Sequence, residues 1–149
     1  GNELADMSTS GVTTTEALRY LVVDLKWDNM PAFTADLDNN GTADGFHGGD
    51  AFIPAGAYIT KASIVPHEDF VGGTSIGFGL AAIDGTVIDA DGIDAAVATA
   101  ALAKGSAVMC DGDLVGGVLT VGDADAYLYT TVVGTYTAGT GKLVIEYFI

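Results

Sequence analysis

Short runs of β-forming residues, each closed by a turn rich in Gly, Asp or Pro, occupy most of this chain and constrain its fold more than any other feature. ALRYLVVDLK (17–26) is rich in β-branched and large apolar residues, and Asp28–Asn29 with Pro31 close it. In AYITKASIV (57–65), Tyr58, Thr60, Ala62 and Ile64 share one face and Ile59, Lys61, Ser63 and Val65 the other, a period of two that predicts a strand. Pro54-Ala55-Gly56 ahead of it is turn chemistry. Beyond Gly72-Gly73, TSIGFGLAAI (74–83) alternates Ile76, Phe78 and Leu80 with Gly77 and Gly79. Glycines along one strand face imply close approach by another backbone or subunit. A short TVI strand, AVMC (107–110), LVGGVLTV (114–121), AYLYTTVV (126–133) and KLVIEYFI (142–149) follow, separated by Asp111-Gly112, Gly122-Asp123 and Gly139-Thr140-Gly141.

Strands spaced at roughly 8–12 residues predict an all-β antiparallel sandwich of jelly-roll type rather than alternating α/β. IDAAVATAALA (93–103), alanine-rich and ended by Lys104-Gly105, is the one segment that reads as a short helix. Residues 1–16, small, polar and aperiodic, read as a flexible N-terminal arm, leaving 17–149 as a single sandwich domain. At 149 residues the length suits one domain that buries enough surface to need no staples. The apolar ending VIEYFI reads as a strand tucked into a sheet or an interface.

Charge excludes several functions. Twenty acidic residues face five scattered basic ones (Arg19, Lys26, Lys61, Lys104, Lys142), a net charge of −15. Binding nucleic acid requires clustered cations to neutralise phosphates, and an anionic membrane repels such a surface. No run approaches the ~20 apolar residues of a membrane helix, and no basic-then-apolar secretory signal is visible. Cys110 is the only cysteine, so no intrachain disulfide forms. Beside Val108 and Met109, with no cation near in sequence, it reads as a buried structural thiol.

The densest polar stretch is DLDNNGTADGFHGGD (36–50). Asp36, Asp38, Asn40 and Asp44 stand at positions one, three, five and nine of an EF-hand-like loop, with Gly41 at six. Alternate oxygen side chains at that spacing can converge on calcium. His47, however, stands at position twelve where a bidentate Glu belongs, and no flanking helices are visible. A solvated Asx-rich turn is the first reading and a calcium loop the second. Asp89, Asp91 and Asp94 form a weaker group in which Asp94 reads as a helix cap. Catalysis finds little support. There is one Trp for a sugar platform, no nucleophile elbow, and no phosphate-binding glycine motif on a strand-to-helix turn. His47 and His67 do not make a zinc site. The aromatics in or beside strands, among them Tyr20, Tyr58, Phe70, Phe78, Tyr136 and Phe148, read mainly as core, with some tyrosines free to anchor an intersubunit contact.

Several short motifs, in order, resemble capsid decoration (cement) proteins, small jelly-roll virion proteins of tailed bacteriophages. They are Ile53-Pro54-Ala55-Gly56-Ala57, Phe70 with Gly72-Gly73-Thr74 and Ile76-Gly77, Asp84-Gly85-Thr86, Asp91-Gly92-Ile93-Asp94, and TAGTGKLVIEY (137–147). The resemblance covers about residues 50–149. It implies a non-enzymatic protein with no cofactor, assembled in the host cytoplasm and added to the outer surface of an icosahedral head. The partner it implies is the major capsid protein, clamped across capsomers by a homo-oligomer, a trimer before a dimer. Residues 1–16 and the adjacent strand edge are then expected to carry capsid or intersubunit contacts. The alternative reading is a head-fibre or tail-appendage module that recognises host-surface glycans.

Overall fold

The computed structural model describes residues 17–35 and 45–149. The arm 1–16 and the segment holding Asp36, Asp38, Asn40 and Asp44 lie outside the described residues. Among the described residues the ordered strands are β1 (Arg19–Lys26), β2 (Ala32–Ala35), β3 (Gly45–His47), β4 (Tyr58–Ala81), β5 (Val87–Ala98), β6 (Val108–Met109) and β7 (Tyr127–Phe148). The main sheet runs β1-β7-β4-β5 with β6 also on β4, every pairing antiparallel, and β2–β3 form a separate pair.

β4 and β7 organise everything else. Their ladder begins at Tyr58↔Phe148 and ends at Ala81↔Tyr127, with register shifts concentrated between Pro66 and Ser75. The shifts divide it into two halves. β1 and β6 flank the half made by the start of β4 and the end of β7, and β5 flanks the other. Ile59, Ala62 and Ile64 from one half join Ile76, Phe78 and Leu80 from the other in one core cluster, with Ile93, Leu143 and Ile145. Two sheet halves facing one core make an all-β, jelly-roll-like sandwich, the fold the strand spacing predicts.

The corner between the halves depends on glycine. Gly72, Gly134 and Gly139 take φ of +102°, +87° and +139°, conformations L side chains rarely adopt. Phe70 and Tyr136 pack edge to face across the corner, centroids 5.9 Å apart at 84°. Thr99 Oγ1 donates to Gly73 O at 2.8 Å, so its 2.7 Å contact with the Tyr136 hydroxyl is one in which the tyrosine donates. Gly72-Gly73 therefore bends a continuous strand; the two separate strands read from 57–65 and 74–83 are its halves.

Three further expectations need correction. The segment 93–103 is not a helix. β5 continues through Ala98, and only Thr99–Ala101 forms a single 3-10 turn. Alanine's helix preference is small per residue, and the open hydrogen-bonding edge of β4 overrides it. LVGGVLTV (114–121) is a loop rather than a strand, apart from an isolated Val115–Ile59 bridge. Gly116 takes φ +62°, and a Cβ on Gly117 would collide with Asp113 O, so the pair turns the chain. Finally, Ile59 is buried on the same side as Ala62 and Ile64. A bulge between Ile59 and Lys61 shifts the alternation by one residue.

Gly77 and Gly79 do face another backbone, and it belongs to the same chain. A Cβ on Gly77 would lie 2.8 Å from Ala95 O, and one on Gly79 2.8 Å from Asp89 O and closer still to Ala90 O. The stretches of β5 where its register on β4 shifts, at Asp89–Ala90 and at Ala95, thus reach over the glycine face of β4.

Candidate docking surface

Alternation along β1 sends Leu21 and Leu25 into the core and leaves Tyr20, Val22, Asp24 and Lys26 outside. The register carries that outer face across four strands. Val22 pairs with Val144, Val144 with Ser63, and Ser63 with Met109, one row from β1 to β6. On one side of it lies the row Tyr20–Glu146–Lys61, and on the other Asp24–Lys142–Val65. Tyr20, Val22 and Met109 are 58%, 50% and 65% exposed.

The charges among these rows are paired. Lys142 Nζ lies 2.5 Å from Asp24 Oδ1, and this contact holds the Asp24 carboxyl below the usual range. Glu146 is nearly buried, and the bulge sets two partners against it. Thr60 Oγ1 donates to its Oε1 at 2.9 Å, and Lys61 Nζ stands 3.4 Å from Oε2. Both oxygens of this enclosed carboxylate thus have a partner. At one end of the face Tyr58 stacks on Phe148 at 5.4 Å and donates its hydroxyl to Gly117 O at 2.7 Å. That bond holds the loop on which Val118 is 96% exposed. Sequence patterns missed Met109 and Val118, which sit in runs read as strands. The Gly116-Gly117 pair inside the second run was the available signal.

The acidic groups collect elsewhere. Asp94 lies in β5 opposite Phe78 and caps no helix. Burial, then the Asp111 carboxylate, pushes its pKa up. Burial and then the Asp91 side chain do the same for Asp89, and the Asp91 backbone N–H donates to Asp89 Oδ1 at 3.2 Å. Among the described residues no three His, Cys, Asp or Glu side chains converge to hold a metal ion. Cys110 is buried, and its thiol is pushed up to about 12 by burial and by Asp94 and Asp111, which makes it a structural thiol. His47 Nε2 pairs with Asn29 Oδ1. Two open clefts of ≈ 190 and ≈ 210 Å³ lie between Val22–Asp24 of β1 and the Phe46–Ala51 segment. No helix among the described residues is long and apolar enough to cross a membrane.

A sheet face built this way can dock against a protein surface. No protein-family profile and no curated protein sequence matches the chain. Solved structures do. A chain in the capsid of Ralstonia phage GP4 superposes with a TM-score of 0.57 at 16% identity, over 92% of this chain and 88% of that one. A chain in the cyanophage Pam1 capsid asymmetric unit gives 0.54 at 14% identity, over 93% and 89%. This fold therefore occurs in chains of two phage capsid structures.

Proposed function

We propose that the protein is a non-enzymatic virion structural protein that decorates and stabilises the outside of a phage icosahedral capsid, binding the major capsid protein across capsomers. The observation that carries this reading is the likeness, over nearly the whole chain, to chains of two phage capsid structures. The resemblance of residues 50–149 to cement proteins, carried by short motifs in order, also supports it. A strongly acidic chain stays dispersed until it meets a complementary shell surface. The chain acts as a homo-oligomer, a trimer before a dimer, and residues 1–16 with the edge of β1, which no described strand pairs, carry contacts to the shell or between copies.

The test adds purified protein to heads that lack it and images the particles. Ordered copies at symmetry-related positions over the whole shell, with heads that resist heat better, are the expected result. A few copies at a single vertex would replace decoration with the glycan-binding appendage reading, and no binding at all would overturn both. Deleting residues 1–16 lowers occupancy; unchanged occupancy removes the arm from the contact.

A further inference from the structure

We propose that the outer face of the β1-β7-β4-β6 half-sheet is where a second copy of this chain packs. The row Val22–Val144–Ser63–Met109 crosses four strands, and Tyr20 and Val65 flank it in the adjoining rows. Single exposed apolar side chains are ordinary on a protein surface. A mostly apolar band, here Val22, Val144 and Met109 interrupted only by the small Ser63, rimmed by paired charges is how an interface is built.

Charge identifies the occupant. The chain carries −15, yet three of its five cations, Lys26, Lys61 and Lys142, lie on this one face. Its acids, Asp24, Glu146 and, in the row of Lys26, Glu68, equal them in number, and Asp24 and Glu146 are each matched to a lysine. The face is therefore close to neutral on a strongly anionic molecule. A basic partner gains most by meeting the acidic groups around Asp89, Asp94 and Asp111 instead. An equally acidic copy is repelled by most of the molecule and least by this face. Self-association also asks a patch to match itself, and an apolar row between two rows of neutralised charge does so.

The inference rests only on the homo-oligomer part of the proposed function, and its readout is self-association in solution without heads. Sedimentation velocity of the full chain is expected to show a dimer or larger species, with a dissociation constant tighter than about 100 µM. The association should strengthen as salt screens the repulsion between copies. Val22→Glu, and separately Met109→Glu, each weaken it at least about tenfold, because each sets a charge inside the apolar row. Val133→Glu, at an exposed valine of the other sheet half, leaves it unchanged. Circular dichroism melting selects the variants that keep their fold, and Met109 on the short β6 risks least. A wild type that stays monomeric overturns the proposal, as does a Val133→Glu that dissociates copies as well as Val22→Glu does. A Val22→Glu monomer that still binds heads leaves the decoration reading standing. A wild type that self-associates but ignores heads removes decoration and leaves this interface intact.

Discussion

Asp94 shows how one carboxylate can cost stability at neutral pH. Burial and the neighbouring Asp111 raise its folded pKa above the value it has in the unfolded chain. Between those two values the folded state holds more protons than the unfolded one, so stability falls as pH rises through that window. Below the unfolded pKa the penalty is absent, and above the folded pKa it is fully present. Asp94→Asn removes the titration while keeping an oxygen to accept nearby backbone N–H groups. The variant should melt higher than wild type at pH 7, with the difference shrinking toward pH 3. Equal differences at both pH values would rule out the linkage. Asp24 behaves oppositely, since its partner Lys142 lowers its pKa, but that exposed pair contributes little. At Cys110 the thiol, pushed up to about 12, stays protonated at any pH the fold normally meets. Iodoacetamide is expected to label it at least a hundredfold more slowly in the native protein than in urea (about 10² as an order of magnitude). Native labelling at the rate of a small free thiol would mean that the site opens.

At the scale of elements, a tight constraint is the contact between β4 and β5. Gly79 has the backbone of Asp89 and Ala90 where a side chain would stand, and Gly77 has that of Ala95. An added methyl must push β5 outward, and overpacking of this kind costs about 1–3 kcal/mol. Gly79→Ala should therefore lower stability by about 2 kcal/mol or more in urea titrations followed by Trp27 fluorescence. Ser75→Ala on the same strand, away from those carbonyls, should cost about 0.5 kcal/mol or less. If both cost the same, β5 does not press on the glycine face.

That contact is legible in the sequence alone, because strand glycines alternating with Ile76, Phe78 and Leu80 announce a close neighbour. The strand content is legible too, since β-branched runs between turns say the same thing locally and globally. Tertiary context decides the rest. In 93–103 alanine leans only slightly toward a helix, and the edge of β4 selects the strand. The bulge after Ile59 depends on setting both Thr60 and Lys61 against Glu146, a residue far along the chain, so no local pattern contains it. The docking face is only half readable for the same reason. Tyr20 and Val22 lie in a run that reads as a strand, but which of its apolar residues face outward, and that Met109 joins them, follows only from a register that the sequence does not state.

At the scale of the whole molecule, a charge of −15 on 149 residues is a source of strain that salt can relieve. Raising sodium chloride from about 10 mM to about 150 mM shortens the screening length from about 30 to about 8 Å, so the melting temperature should rise over that range. This general effect is the baseline against which the acidic stretch 36–44 has to be judged. If Asp36, Asp38, Asn40 and Asp44 form only a solvated turn, calcium at matched ionic strength changes the melting temperature no more than magnesium does. If they converge on calcium, binding to the folded state alone adds stability that grows with the logarithm of calcium concentration, and magnesium, which demands a smaller octahedral site, does not replace it. Asp38→Asn should then abolish the calcium increment while leaving the sodium chloride response in place. Calorimetry with chelator, calcium and magnesium at constant ionic strength decides between the two. The turn reading fails if calcium alone raises the melting temperature, and the calcium reading fails if melting is the same with and without chelator.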